Sequence, residues 1–295
     1  MRLAEWLLVG AIMAGAGATA PVIVEVWRRW NAPDKPSVGG QVDLETAEDR
    51  ISAASTEKPS QSAEEQKASF ERILNFNQQF PLRIVVSTLS SPDDQPLRHS
   101  ITYEEVEAAD AVIRVLPRSQ RFSTDIKIAD DVDYQCSDNL IILGSKRRNR
   151  VAADLTQFTR AFGFDFVEVL NDDGQERWGL SFGHQTFVSP FFDQQREYKK
   201  DPTYHGGFVD FGLLAKISSP WNNEAKVLLV AGIKALGTLG AGKFLEENGP
   251  WLENQVGDSD FAQVIRAVRE DPTKDHIFVE PVGKPHKLAH ILATE

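Results

Sequence analysis

Residues 139–149 read Asn-Leu-Ile-Ile-Leu-Gly-Ser-Lys-Arg-Arg-Asn, and residues 226–238 read Lys-Val-Leu-Leu-Val-Ala-Gly-Ile-Lys-Ala-Leu-Gly-Thr. Each segment is a short apolar run that ends on glycine and passes through polar residues into a helical pattern. A run of that length, apolar on both faces, predicts a strand buried inside a sheet. Strand, glycine and helix in that order predict an α/β domain with a mostly parallel sheet.

The rest of the domain is read outward from these two runs. The Phe70, Ile73, Leu74, Asn77 and Phe80 spacing predicts a helix from about Glu64. Arg83–Thr88 predicts a strand. Thr102 and Glu105 form a capping-box pattern for a helix that continues through Val106, Ala109, Ile113 and Leu116 and ends at Pro117. After the 139–144 strand, a helix from Asn149 to Phe162 and a strand from Asp165 to Leu170 predict a βαβ unit with parallel strands. Asn171–Gly174 is a turn signal. Residues 178–220 predict antiparallel or irregular additions, with strand-like pieces near Leu180, Thr186 and Val209–Ile217. The tail of the chain predicts helices to Asn254 and over Asp258–Glu270, then a strand over His276–Val282.

Before the domain, Trp6–Val24 runs without a charged residue. It has the length of a helix that crosses a hydrocarbon core of about 30 Å. A cleavable signal is the rival reading, supported by Arg2 and by Ala18-Thr19-Ala20. Pro21 after that site and the continuing Val22-Ile23-Val24 favour a retained anchor. Arg28, Arg29 and Lys35 follow the span and only Arg2 precedes it, which predicts a cytoplasmic C-terminal domain. Residues 31–66 hold eight acids, three bases and no aromatic residue, the composition of a flexible acidic tether. The expected organisation is therefore an anchor (1–30), a linker (31–66) and a Rossmann-like α/β domain (67–295). Gly10, Ala14 and Ala18 share a helix face, as do Ala11, Gly15 and Thr19, a spacing that permits homo-oligomers through the span.

The 295-residue chain has a net charge of −11 and a single cysteine, Cys136. The acidity argues against nucleic acid as a partner. One cysteine forms no internal disulfide, which suits a reducing compartment. The membrane, through Trp6–Val24, is the expected partner, alone or within a membrane protein complex. No metal-ligand spacing is present.

In open α/β sheets, ligands sit beyond the carboxyl ends of the strands, where helix N-termini offer free N–H groups and partial positive charge. Gly144, Ser145, Lys146, Arg147, Arg148 and Asn149 in the first loop are the candidate binding residues. Gly232, Lys234, Gly237 and Thr238 join them from the second. Their basic character in an acidic chain predicts a nucleotide or another nucleotide-derived anion. The alternative is that both glycines serve tight turns and that Thr238 is a helix cap. Neither loop is a dinucleotide fingerprint or a Walker loop. His184 and His205 are candidate general bases, and Asp210 a cap or a site carboxylate. The aromatic segment Phe187–Tyr204 is a candidate cover or contact surface.

Gly237-Thr238-Leu239, opening a helix after a buried strand that ends at Gly232, resembles the Rossmann-like superfamily of SLOG sensor domains and lysine-decarboxylase-like phosphoribohydrolases. The resemblance implies nucleotide binding. The resemblance further implies a role in bacterial conflict systems, where membrane-linked sensors of that kind often belong. The enzymes carry a glycine doublet before the Gly-Thr and an acid soon after it. Here Ala231-Gly232 and Gly240-Ala241 stand in those places, which disfavours hydrolysis more than binding. The expected function is a membrane-anchored sensor or adaptor. A non-catalytic subunit of a membrane complex and a nucleotide-processing hydrolase are the alternatives.

Overall fold

The computed structural model describes residues 61–87, 102–116, 125–129, 138–170, 174, 176–201, 206–271 and 275–288. From Lys67 onward the chain forms one compact unit. The Trp6–Val24 run, Pro117, Cys136, Asn171–Asp173 and His205 lie outside the described residues, as does the tether up to residue 60. Among the described residues no helix is long and apolar enough to cross a membrane.

In chain order the elements are α1 (Gln61–Leu74), β1 (Leu82–Val86), α2 (Tyr103–Val115), β2 (Asp125–Ile128), β3 (Asn139–Leu143) and α3 (Arg150–Thr159), which continues as a 3-10 turn. Then come β4 (Phe164–Leu170), β5 (Glu176–Phe182), β6 (Gln185–Val188), α4 (Phe191–Lys200), β7 (Phe208–Ser218), β8 (Lys226–Gly232), α5 (Ala235–Val256), β9 (Phe261–Arg269) and β10 (Phe278–Lys287). A seven-stranded sheet runs β10-β9-β7-β8-β3-β1-β2, and β4-β5-β6 form a second sheet.

The domain is α/β, as expected, but its main sheet is mixed. β2, β1, β3 and β8 are parallel, whereas β7, β9 and β10 pair antiparallel. From β1 the chain goes to β2 on one side, and β3 lies on the other. Strand order thus reverses at the β1/β3 boundary, the place where such sheets open a crevice.

Two expectations are corrected. Asp165–Leu170 does not lie parallel to β3; as β4 it pairs antiparallel with β5 in the small sheet. A central parallel strand needs two apolar faces, and the outer half of β4 alternates, with Glu168 and Leu170 exposed. The all-buried run of β8 takes the place beside β3 instead. Asp258–Glu270 is not a helix: Phe261–Arg269 is β9, held between β7 and β10. Phe261, Val264, Ile265 and Val268 match helical spacing, but a strand buried on both faces shows the same apolar density. Within Phe187–Tyr204, Phe191–Lys200 is a helix, with Asp193 in its first turn and Lys199 and Lys200 in its last, charges that suit the helix dipole.

Helix α1 starts at Gln61 and ends before the left-handed Asn75, so Asn77 and Phe80 lie beyond it. Thr102 and Glu105 form the expected capping box on α2.

Helices α1, α2 and α5 share one face of the main sheet. Phe70 of α1 fills the space beside Gly249 of α5, and Ala108 of α2 lies against Gly242. On the other face, alternate residues of β7 and β8 (Leu213, Ala215, Val227, Leu229) pack with α3 and with Phe166 and Leu180 of the small sheet.

Strand β7 carries two buried charges toward the helical face. Near one end, Asp210 Oδ2 accepts the N–H groups of Lys234 (3.0 Å) and Gly237 (2.6 Å) at the start of α5. Near the other, Lys216 Nζ donates to the carbonyls of Ile73 and Asp258, both at 2.7 Å, where α1 and α5 end. An anion at a helix start and a cation at helix ends both satisfy the macrodipole and its orphan groups. Burial pulls the Lys216 ammonium down to about 8, with Asp260 opposing.

Candidate functional site

The two glycine loops lie side by side. β3 and β8 are adjacent and parallel, with Leu143 opposite Val230, and the Gly144 N–H extends the ladder by donating to the Val230 carbonyl at 2.9 Å. Both loops open into one cleft of about 310 Å³, lined among others by Glu105, Ser145, Arg148, Gly232, Lys234 and Thr238. Phe191 and Gln195 of α4 form its far wall. A volume of this order is within the range of small-molecule sites.

Gly144 has a φ of +92°, and a Cβ there would stand 2.9 Å from Glu105 Oε1 and 3.0 Å from Ser87 Oγ. Glycine is therefore required both by backbone conformation and by space. The bare backbone lets the start of α2 meet the end of β1: Ser87 Oγ donates to Glu105 Oε1, while the Thr102 N–H donates to Oε2 at 3.4 Å. Burial raises the Glu105 carboxyl above its ordinary range, against the lowering influence of Ser87, Thr102 and Arg148.

Beyond Gly144 the candidate residues separate. Arg147 and Arg148 are exposed and line the cleft, and neither makes an ion pair among the described residues. Lys146 is turned away, its Nζ 2.7 Å from Asp165 Oδ1. Asn149 is buried and caps α3: its Oδ1 accepts the Ala152 N–H at 3.1 Å, and its Nδ2 donates to the Leu143 carbonyl at 2.9 Å. It secures the loop without reaching the cleft.

The second loop contributes less backbone than its glycines suggest. A Cβ on Gly237 would stand 2.2 Å from the Phe211 carbonyl oxygen, and one on Gly232 would stand 2.2 Å from the Thr238 nitrogen. These glycines let α5 sit directly on the ends of β7 and β8. Gly237 does not line the cleft; Gly232 borders it with its inner side filled.

Thr238 lines the cleft, but it is not the helix cap, since α5 begins at Ala235 and no side chain of Lys234 caps it. Asp210 does that work from β7. Burial pushes the Asp210 carboxyl up to about 6, against the lowering pull of Ser189 and of the Gly237, Phe211 and Lys234 backbone. Burial lowers the Lys234 ammonium, and Arg147, Arg148 and Arg177 add to this while Asp210 opposes it. Four cations from three segments thus converge on one region, and a bound anion would relieve their mutual repulsion.

A second cleft, of about 490 Å³, shares Arg147 and Lys234 with the first and is walled by Trp178, Glu168, Glu176 and Ser189. Apart from Arg147 and Lys234, its residues come from β4, β5 and the 189–196 segment leading into α4; β4 and β5 carry no binding signal in the sequence, and the last belongs to the aromatic stretch read as a candidate cover. His184 sits exposed in the β5–β6 turn, away from both clefts. Among the described residues no cluster of His, Cys, Asp and Glu could hold a metal ion. Compared with known proteins, the chain matches no protein-family model and no curated protein.

Proposed function

We propose that this chain is a single-pass membrane-anchored sensor or adaptor. Its Rossmann-like cytoplasmic domain binds a nucleotide-like anion in the cleft between the Gly144–Asn149 and Gly232–Thr238 loops, and binding controls association at the membrane. One observation carries the binding step. Two loops 88 residues apart, at Gly144 and Gly232, end adjacent parallel strands and open into one cleft with Arg147, Arg148 and Lys234 around it. That cleft lies beside the β1/β3 switch point. The anchoring step rests on Trp6–Val24 and the basic residues after it. Arg147, Arg148 and Lys234 supply charge, and Ser145 and Thr238 supply hydroxyls, while the N-terminus of α5 is already met by Asp210.

Calorimetric titration of the full-length protein in detergent with a panel of nucleotides tests this. Binding weakened at least about tenfold by Arg147→Ala with Arg148→Ala is the expected result. Absence of binding across the panel, or binding that ignores both arginines, overturns it.

The hydrolase reading retains one specific support: Glu105 places a buried carboxyl group with a raised pKa in the same cleft. A general acid has those properties. Chromatography of nucleotides incubated with the protein and with Glu105→Gln distinguishes this from sensing. Turnover abolished by the substitution supports hydrolysis, and intact nucleotide after prolonged incubation removes it.

A further inference from the structure

We infer that the anionic ligand also carries a planar aromatic group, a nucleobase or its equivalent, that stacks on Trp178 in the second cleft. This rests on the anion-binding reading of the first cleft and assigns the ligand a polarity within the joined pair. The two clefts meet at Arg147 and Lys234, which line both. On the far side of that junction the chemistry changes. Glu168 and Glu176 bring carboxylates into the second cleft, and Arg177 is held there by Asp193, with Nη2 2.9 Å from Oδ1. Arg196 and the paired Arg177 and Asp193 also line this cleft, so its charge is mixed where the first cleft sets three cations against Glu105. A phosphate gains less here than in the first cleft, whereas the ring and amino N–H groups of a base find acceptors in Glu168 and Glu176.

Trp178 provides the stacking surface. It packs against the core formed by β7, β8 and the small sheet, so its ring is held from behind. It is paired across the strands with Glu168. Arg147 lies opposite, its Cζ 5.9 Å from the ring centre. A planar group between two stacked planes needs about 7 Å, two contacts of roughly 3.5 Å each. Exposed Arg147 has to withdraw by only about an ångström to admit a base between its guanidinium and the indole. Its charge then faces the phosphate of the same ligand. Lys146 lies at the same distance from the ring but is tied to Asp165 and does not line the cleft.

The experiment is titration calorimetry of the full-length protein with inorganic pyrophosphate and with the diphosphates of adenosine, guanosine, cytidine and uridine. At least one nucleoside diphosphate is expected to bind about tenfold or more tightly than pyrophosphate, as expected for stacking on an aromatic side chain. Trp178→Ala should bring that nucleotide down to the affinity of pyrophosphate and leave pyrophosphate within about twofold, while Trp178→Phe should keep most of the advantage. If pyrophosphate binds as well as every nucleotide, the aromatic subsite is wrong and the anion cleft stands. The subsite is equally wrong if Trp178→Ala changes nothing, or weakens pyrophosphate and nucleotide by the same factor. If neither pyrophosphate nor any nucleotide binds, the anion reading falls and takes the subsite with it.

Discussion

After β3 the chain turns at Gly144 in a left-handed conformation and leaves Arg147 and Arg148 in solvent beside a cleft. After β8 it turns at Gly232 and enters a helix whose first glycine, Gly237, rests on the backbone of Phe211. The two loops share one pattern of apolar strand, glycine, polar residues and helix, yet the glycines serve different ends. In the first, glycine brings Ser87 and Glu105 together at the mouth of a site. In the second, glycine removes the distance between a helix and a sheet, and Asp210 of β7 supplies the anion for the helix N-terminus from within the protein. A strand–glycine–helix motif is therefore ambiguous until the groups facing its N–H donors are known. Where the protein supplies its own carboxylate, a ligand's phosphate has less to gain from the backbone and depends on side chains, here Arg147, Arg148 and Lys234.

The largest effect is expected when volume is added to the second loop. Gly237→Val places atoms into the Phe211 carbonyl, which as backbone cannot step aside, and is expected to destabilise the domain by about 3 kcal/mol or more. Thermal unfolding followed by circular dichroism reads this as a large fall in Tm. A normal Tm would mean that α5 is not seated on β7 as described. Next comes the pH dependence of Asp210. Its carboxyl titrates near 6 when folded, against an ordinary value of 3.8. Between those values the folded protein binds more protons than the unfolded chain, so this group's contribution to stability is complete below pH 3.8 and is lost as pH rises to 6. The span amounts to about 3 kcal/mol at most. Over that range the urea midpoint of the parent should fall relative to that of Asp210→Asn as the pH rises, because the variant has no such share to lose. Parallel curves would show that Asp210 titrates normally. At neutral pH, Asp210→Ala leaves the Lys234 and Gly237 N–H groups without their acceptor and is expected to cost about 2 kcal/mol.

How much of this is legible in the sequence depends on the range of each interaction. Leu140–Leu143 and Val227–Ala231 announce central strands because every residue is apolar, and burial on both faces follows from that alone. The capping box of α2 is legible because Thr102 and Glu105 are three residues apart. The second role of Glu105, at the cleft mouth, depends on Ser87, eighteen residues away, and is hidden. Asp210 is readable as a cap from its place at the start of an apolar strand, but the helix that it caps starts 24 and 27 residues downstream, and no local pattern names it. β9 reads as a helix because burial on both faces erases the alternation that distinguishes a strand. β4 misleads because chain order suggests parallel pairing, whereas its exposed Glu168 excludes it from the sheet interior. Trp178 carries no local signal for the same reason: its strand belongs to a small sheet that only the fold brings beside Arg147.

The least effect on folding is expected at the first loop. Arg147 and Arg148 are exposed and free of ion pairs among the described residues, so Arg147→Ala with Arg148→Ala should change stability by no more than about 0.5 kcal/mol. Removing two of the cations around Lys234 also removes repulsion, so its ammonium should titrate higher than in the parent. Nuclear magnetic resonance of selectively labelled lysine side chains follows this directly. A Tm that stays level while the Lys234 titration moves upward would show that the first loop holds its charges close together without contributing to the fold. A Lys234 titration unchanged in the double variant would mean that the three cations do not share one field. The first loop would then be an ordinary solvated surface, and the difference between the two loops would reduce to two ways of using glycine in a turn.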